Sequence, residues 1–333
     1  MPNDNAAHSI GFIDVHAHYL TDSYLRRARA AGHELPDGMP EWPTWSAEAH
    51  VAVMDRSGIA TAMLSLSSPG VHFGDDRQAR ALAREINEEG AQAVRDHPGR
   101  FGLFASLPLP DIDGSLTELA HAFDVLHADG VILMTNAHGV YLGDSRLEPV
   151  FAELDRRNAT VLLHPTSPVC WEHTALGRPR PMLEFLFDTT RTVTDLVWAG
   201  IVERYPRVRF IVPHCGAALP VIADRVNGFR LLLGDPTSPD VVDQLRSLYY
   251  DTAGTAFPRH LEALLRLVDP SQLLYGSDYP WTPAPIAELH TAAFTAIPGP
   301  SPAQSWLNLT TTNASRLFPR LANPESPRAE RFS

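Results

Sequence analysis

The sequence predicts an α/β protein that folds as a (β/α)8 TIM barrel with a small insertion after the first strand. Short aliphatic runs alternate with longer amphipathic stretches, and most of the runs are almost continuously apolar, as in parallel strands buried on both faces. The length of 333 residues also suits a single barrel domain. An open, doubly wound sheet is the alternative, but no G-x-G-x-x-G turn follows the first run.

The elements follow one another in the order that a barrel requires. Ser46 and Asp113 are the predicted N-caps of two helices, and Gly58 and Gly130 are the predicted helix stops. The strand candidates are 10–15, 60–66, 101–107, 130–135, 159–164, 208–213, 247–251 and 272–277. The helix candidates include 46–57, 76–96, 115–128, 146–157, 182–204, 217–233 and 258–267.

Two long connections stand out between these elements. Segment 20–45 is longer than a simple strand-to-helix loop and is expected to form a lid over the barrel mouth. Segment 165–181 is rich in proline and is expected to line the same pocket. We therefore predict one domain over residues 1–320, followed by a polar C-terminal tail over 321–333.

Composition excludes several classes of function. The formal net charge of −12, without any basic run, argues against nucleic acid or an anionic membrane as the main partner. All 27 Lys+Arg residues are arginine, so Schiff-base chemistry and a bridging carboxylated lysine are excluded. Cys170 and Cys215 cannot form a disulfide framework, and Met1 to His8 do not resemble a secretory signal. We therefore expect a cytoplasmic protein.

Five side chains at the ends of strand candidates predict a metal site. His16 and His18 follow the first run, and side chains two apart on an extended segment point the same way. His164, His214 and Asp278 end three later runs. Because the C-terminal strand ends of a barrel meet at one face, we expect these groups to lie together. Three imidazoles and a carboxylate suit Zn²⁺, with Mn²⁺ as the alternative. His214 is expected beside the metal as a proton-transfer group, or else as a further ligand.

Four motifs carry a family resemblance over nearly the whole chain. The motifs are D-V-H-A-H at 14–18, L-L-H-P at 162–165, F-I-V-P-H-C-G-A-A-L-P at 210–220 and Y-G-S-D-Y-P-W at 275–281. Together they resemble the amidohydrolase-2 branch of the amidohydrolase superfamily, which contains aminocarboxymuconate semialdehyde decarboxylase and γ-resorcylate decarboxylase. Stretches 139–151 and 182–193 are most similar to the 6-methylsalicylate decarboxylase group.

The resemblance implies the composition of the site and a partner. It implies one metal ion per subunit, held by the three histidines 16, 18 and 164 with Asp278, and His214 beside it. It places at Arg225 the arginine that reaches a neighbouring active site, which implies a homodimer. There is also a departure: the arginine that clamps a second carboxylate in the muconate enzyme falls at His50. This departure favours a substrate with one carboxylate.

We therefore expect a metal-dependent nonoxidative decarboxylase, or carboxy-lyase, of a small ortho-hydroxybenzoate similar to 6-methylsalicylate. Asp278 is the first candidate for the proton donor and His214 the second. The alternative is a metal-dependent hydrolase of a lactone, ester or amide, which the same ligands can serve. A noncatalytic barrel would be expected to lack one of the metal-site groups. The candidate ring contacts are Phe73, Tyr141, Trp171 and Trp281.

Overall fold

The eight predicted strands form one parallel sheet in the computed structural model, which describes residues 11–234, 237 and 239–322. The order of the strands is β1-β2-β3-β4-β7-β8-β9-β10, and β5 and β6 form a small antiparallel pair outside it. The TIM barrel prediction is therefore confirmed. The strands are β1 Phe12–His18, β2 Ile59–Ser65, β3 Phe101–Ser106, β4 Gly130–Met134, β5 Asn136–Ala137, β6 Val140–Tyr141, β7 Thr160–His164, β8 Arg209–Val212, β9 Tyr249–Asp251 and β10 Leu273–Leu274.

The barrel closes where β1 meets the segment that follows β10. The amide of Val15 donates to the carbonyl of Tyr275 at 2.9 Å, and the amide of Asp278 donates to the carbonyl of His16 at 2.8 Å. Asp14 is fully buried at this seam, and its Oδ1 accepts from the amides of His16 at 3.1 Å and Ser277 at 3.0 Å. The closure thus fixes Asp278 against the first strand.

Helices cover the outside of the sheet. None of the helices in the described part of the chain is both long and apolar enough to cross a membrane. The helices are α1 Asp22–Ala30, α2 Ala47–Ser57, α3 Asp76–Asp96, α4 Ile112–Asp124, α5 Glu148–Arg156, α6 Trp171–Thr174, α7 Glu184–Trp198, α8 Ile201–Arg204, α9 Leu219–Leu233, α10 Val241–Arg246, α11 His260–Leu264, α12 Ala284–Ala296, α13 Trp306–Leu317 and α14 Pro319–Ala322.

The predicted helix ends were right in part. Ser46 caps α2, and Gly58 ends it in the left-handed conformation, as predicted. The prediction that Asp113 caps the next helix was wrong, because the carboxylate of Asp111 accepts from the amide of Gly114 at 3.1 Å and starts α4 earlier. Gly130 does not stop that helix, since it begins β4. The predicted helix 182–204 is broken at Gly200, whose φ is 70°, into α7 and α8.

The barrel interior is closed at its base by the C-terminal helices. Leu317 and Phe318 pack in one cluster with inward-facing residues of the strands, and the rings of Phe318 and Phe104 lie 5.7 Å apart. Arg320 donates to both oxygens of Asp129, which directly precedes β4, at 2.6–3.0 Å. We call Ala314, Leu317 and Phe318 the basal plug. The strand residues that belong to the same cluster are Ile13, Val15, Met63, Phe104, Ile132, Leu162, Ile211 and Leu274.

Segment 20–45 contains α1 and a short 3₁₀ turn over Pro36–Gly38. In this turn Asp37 and Gly38 both have positive φ, 50° and 77°. Trp42 anchors the segment to the core, with 6% of its surface exposed. The segment thus returns to the barrel after leaving β1, and the turn reaches the mouth.

Candidate metal centre and active site

The four predicted ligands meet at the C-terminal ends of the strands. His16 and His18 come from the end of β1, His164 from the end of β7, and Asp278 from the segment after β10. One ligand atom from each lies within 4.8 Å of all the others. The Nε2 atoms of His16 and His18 are 3.1 Å apart, and Asp278 Oδ1 lies 3.3 Å from Nε2 of His18. Three of the four residues are buried, and Asp278 retains 20% exposure of its side chain.

Each imidazole is oriented by a contact at its other nitrogen. His16 Nδ1 lies 2.8 Å from the Oδ2 of the fully buried Asp251. His18 Nδ1 lies 3.0 Å from the hydroxyl of Ser65, and His164 Nδ1 lies 2.7 Å from the carbonyl of Pro165. These contacts leave the three Nε2 atoms for an ion, an arrangement that is typical of histidine ligands with oriented rings. Asp251 was not predicted as a site residue.

The protonation of the site suits a cation. Burial alone would raise the pKa of Asp278, but the neighbouring imidazoles of His18, His214 and His16 hold this pKa well below its usual value. Burial and the neighbouring imidazoles keep the pKa of His164 well below its usual value. Burial opposes a charge on His16, yet Asp251 raises its pKa to about 9. The ionised carboxylates of Asp251 and Asp278 and the neutral imidazole of His164 therefore fit a divalent ion, and binding of the ion would release the proton that Asp251 favours on His16.

His214 lies beside the four ligands and is not one of the group that surrounds the candidate ion site. Its Nε2 is 3.9 Å from Asp278 Oδ2, and its Nδ1 is buried without a hydrogen-bond partner among the described residues. The backbone at His214, Cys215 and Ala217 has φ of 52–54°, in the left-handed region that is costly for residues with a side chain. This turn is held by Asp251, whose Oδ1 accepts from the amide of His214 at 3.0 Å.

A cavity of about 320 Å³ opens from the metal ligands towards the lid. His164, His214 and Asp278 form its metal end. Its other walls are largely apolar, with several hydroxyl, carboxyl and imidazole groups between them. The apolar lining residues are Pro36, Met39, Pro181, Phe185, Leu186, Ala253 and Trp281, and the polar ones are Asp37, Ser67, Ser68, Thr255 and His260.

Trp281 is the predicted ring contact that lines this cavity. Its Nε1 donates to the hydroxyl of Ser67 at 2.6 Å, and its ring packs against Trp42 of the lid segment, with 5.7 Å between centroids. The hydrogen bond at Nε1 and the packing of the ring together fix the orientation of the indole.

Tyr141 does not line this cavity, and its side chain is instead hydrogen-bonded to a buried carboxylate. Its hydroxyl donates to Asp188 of α7 at 2.5 Å, and the guanidinium of Arg191 reaches both side chains. Thr135 and Asn136 also donate to Asp188, which is fully buried. The two stretches that resemble 6-methylsalicylate decarboxylases thus pack against each other through this cluster.

The structure does not bring Phe73, Trp171 or His50 to the metal cavity. Phe73 packs on the ring of His33, and Trp171 stacks on Arg180 at 4.1 Å beside a neighbouring cavity. His50 is buried, and its Nδ1 accepts from Trp45 at 3.0 Å. Burial lowers the pKa of His50 to about 3, so this imidazole is neutral and offers no clamp for a carboxylate.

Arg225 is exposed on α9 and lies outside the metal cavity of its own chain. Its guanidinium packs over the ring of Phe229, 5.2 Å from the centroid. The predicted role of this residue in a neighbouring site stays a prediction.

Sequence reasoning missed three residues of the site. Asp251 ends a predicted strand, as the recognised ligands do, and this position was the signal that could have found it. His260 and Asp37 carry no such signal, because one begins a helix and the other lies in the lid. The Nε2 of His260 lies 2.8 Å from the carbonyl of Ala217, which can only accept, so this nitrogen donates and Nδ1 is left as an acceptor.

Comparisons with known proteins agree with this site. The chain is 34% identical over 330 residues to the 6-methylsalicylic acid decarboxylase of Aspergillus aculeatus, and the alignment covers 94% of this chain and 98% of that one. It is 35% identical over 281 residues to the 6-methylsalicylic acid decarboxylase of Penicillium expansum, covering 81% and 85% of the two chains.

Solved structures share the fold. A crystal structure described as amidohydrolase II superposes with a TM-score of 0.87 at 34% identity, covering 94% of this chain and 100% of that one. The dihydroxybenzoic acid decarboxylase of Polaromonas sp., solved with manganese and 2-nitroresorcinol, has a TM-score of 0.80 at 22% identity, covering 96% and 99% of the two chains. The family model for amidohydrolases matches residues 13–320, which include every ligand of the metal centre. By its fold, its site and this match, the chain belongs to the amidohydrolase family.

Proposed function

We propose that this protein is a metal-dependent nonoxidative decarboxylase of a small aromatic acid with an ortho hydroxyl group, such as 6-methylsalicylate. The observation that carries the proposal is a four-ligand site that opens into a mostly apolar cavity, with Trp281 in its wall. The 6-methylsalicylic acid decarboxylases that are 34–35% identical over most of the chain support this choice of substrate.

We propose His16, His18, His164 and Asp278 as the ligands of one ion per subunit. Zn²⁺ is the first choice, because three imidazoles dominate the donor set. Mn²⁺ is the alternative, supported by the manganese in the Polaromonas enzyme. When bound, the ion would hold the carboxylate and the ortho oxygen of the substrate and stabilise negative charge on them.

The residues of the chain supply the proton. Decarboxylation breaks the bond between the ring and the carboxyl carbon, and a proton that is added to the ring carbon takes the place of the released carbon dioxide. We assign delivery of this proton to Asp278 first and His214 second. Because the ionised form of Asp278 is strongly favoured, its proton has to arrive from a neighbour. His214 Nε2, at 3.9 Å from Asp278 Oδ2, is the group placed to pass it on.

The cavity walls orient the ring and limit the access of water. We assign the flat contact to Trp281, whose indole is fixed by Ser67 and Trp42. Phe185 and Met39 offer apolar surface for a ring methyl group. Excluding water strengthens the electrostatic interactions of the buried ligands with the substrate.

We propose that the enzyme works as a homodimer through α9. This helix exposes large apolar side chains at Val221, Leu231, Leu232 and Leu233, whose exposed fractions are 68–81%. Exposed apolar patches of this kind mark protein interfaces. Arg225 lies on the same helix and is the candidate for reaching the site of the other subunit. Replacement of Leu232 by Glu should shift the mass in analytical ultracentrifugation to that of a monomer. An unchanged mass would contradict this interface.

The experiment that tests the function offers protein loaded with Zn²⁺ or Mn²⁺ a panel of ortho-hydroxybenzoates, lactones and aryl esters. We expect loss of carbon dioxide from a salicylate, detected by mass, and no reaction with Asp278→Ala. Asp113→Ala, which removes an exposed carboxylate on α4, is the matched control and should retain activity. Addition of water to a lactone or ester, with every salicylate unchanged, would replace the decarboxylase by the hydrolase alternative.

A further inference from the structure

The lid brings a carboxylate into the wall of the metal cavity. Asp37 lines the cavity between Pro36 and Met39, and only 7% of its surface is exposed. Asp37 is not one of the four residues that form the candidate metal site. Buried carboxylates are uncommon unless they are paired, so its place in a substrate cavity calls for a role.

The backbone of the lid turn holds this side chain in place. Asp37 and Gly38 are left-handed in succession, which is a strained conformation for Asp37. A β-carbon on Gly38 would lie 2.7 Å from Nη1 of Arg180, so the turn is pressed against segment 165–181. The hydroxyl of Ser167 donates to Asp37 Oδ1 at 2.5 Å, and Nε of Arg180 donates to this hydroxyl at 3.0 Å.

One oxygen of Asp37 is left for a ligand. Among the described residues, the hydrogen bond from Ser167 is the one bond that Asp37 receives at its carboxylate, and no donor reaches Oδ2. A neutral donor on a substrate, such as a hydroxyl or an amide, can therefore bind there. An anionic substituent would meet a second negative charge.

The cation that interacts with Asp37 is Arg180, and it lies outside the metal cavity. The chain has no lysine, and no arginine is among the described residues that line the metal cavity. Arg180 lines the neighbouring cavity of about 430 Å³, which Asp37 also borders, and stacks on Trp171. Within the metal cavity, the proposed ion is thus the positive centre that a substrate carboxylate would bind, and it lies at the end formed by Asp278.

We propose that Asp37 determines substrate specificity by charge. It admits aromatic acids whose single carboxylate binds at the metal, and it rejects those with a second anionic group on the ring edge that faces the lid. Like charges brought together at a binding site disfavour the wrong partner strongly, which is how sites discriminate between close analogues. The proposal rests on the proposed function for the identity of the substrate.

The test uses Asp37→Asn in the metal-loaded, full-length enzyme. Asparagine keeps the shape of the side chain and tolerates the left-handed backbone, so the variant should fold. The substrates are salicylate, the three salicylates with a second carboxylate at position 3, 4 or 5, and the matching carboxamides. For at least one diacid, kcat/KM relative to salicylate should rise at least about tenfold, whereas the same ratio for its carboxamide should change less than about threefold.

Two further variants separate charge from structure. Glu34→Gln makes the same charge change at an exposed position of the lid, and its ratios should equal those of the wild type. Ser167→Ala removes the donor to Asp37 but keeps the carboxylate, so the diacids should still be rejected. A diacid ratio that rises as much in Ser167→Ala as in Asp37→Asn would overturn the proposal, and so would unchanged ratios in Asp37→Asn.

Dissociation constants of the same acids, measured by calorimetry, keep this test independent of turnover. If no salicylate loses carbon dioxide in the wild type, the proposed function fails. The charge selection is then decided by the ratio of dissociation constants for diacid and monoacid, which Asp37→Asn should shift by about the same factor of ten.

Discussion

The two ends of the barrel are built on opposite principles. At the base, apolar residues of the basal plug fill the interior, and Arg320 pairs with the buried carboxylate of Asp129. At the mouth, buried polar groups crowd together, His214 Nδ1 lacks a hydrogen-bond partner among the described residues, and Asp278 has a positive φ of 60°. The base contributes stability, whereas the mouth carries strain and unsatisfied groups, as expected where chemistry takes place.

The largest expected effect is a loss of activity when a metal ligand at the mouth is removed. His164→Ala removes one of the three imidazoles, and activity should fall about a thousandfold or more, because a bound ion supplies several kcal/mol of transition-state stabilisation. Metal content measured by mass spectrometry should fall with it. In the presence of a chelator, urea unfolding should show a smaller loss of stability than the basal variant described next. Retention of a full equivalent of tightly bound metal would contradict the ligand assignment.

The basal plug should respond in the reverse way. Phe318→Ala leaves a cavity under Phe104 and should lower the free energy of unfolding by about 3–5 kcal/mol. The remaining folded protein should keep its metal content and its kcat. Phe187→Ala, at a half-exposed position of α7, is the matched control and should change stability by about 0.5 kcal/mol or less. Equal effects of the two changes would mean that the plug is not part of the core.

A pair of buried carboxylates sharpens the comparison. Asp251→Asn should weaken metal binding about 10- to 100-fold, because the carboxylate orients His16 through Nδ1. Asp129→Asn makes the same change at the base and should leave metal affinity unaltered, while lowering stability by about 1.5–3 kcal/mol through Arg320. Competition with a metal indicator dye and urea unfolding give the two quantities. An equal change of metal affinity in both variants would contradict the proposal that only the carboxylate at the mouth of the barrel supports metal binding.

The smallest expected effect is on stability and concerns Glu153 of α5, which belongs to neither end of the barrel. Hydrogen bonds from Arg156 and Arg157 outweigh partial burial and lower the pKa of Glu153 from 4.5 to about 2. Its ionised form therefore stabilises the fold above about pH 4.5, and this contribution is lost as the pH falls towards 2. Glu153→Gln should flatten this part of the profile of stability against pH, by less than about 1 kcal/mol. A steeper profile in the variant would show that the sign is wrong.

The sequence predicted the groups whose position depends on topology. His16, His164 and Asp278 follow apolar runs, and a parallel barrel brings all such positions to one face whatever the side-chain packing. Side-chain direction and loop geometry could not be read in this way. Tyr141 is a predicted ring contact, but its hydroxyl is held by the buried Asp188, which comes from α7, 47 residues later.

The lid shows the same limit. Its role over the mouth was expected from its length, but the residue that reaches the cavity depends on two successive left-handed positions. Nothing in the local pattern of Pro36, Asp37 and Gly38 states the direction in which the carboxylate points. The cap at Asp111 was missed for a related reason, since two aspartates within three residues are equally good caps in sequence and only packing separates them.

The basal plug also has a consequence for biosynthesis. The side chains that finish the barrel interior come from residues 314–318, whereas the first strand that they cover begins at Phe12. While the chain emerges from the ribosome, Ile13 and Phe104 remain without the residues of the basal plug, which are synthesised much later. A nascent chain that has not yet passed residue 318 therefore exposes the base of its own core, and the core is completed only after that residue has emerged.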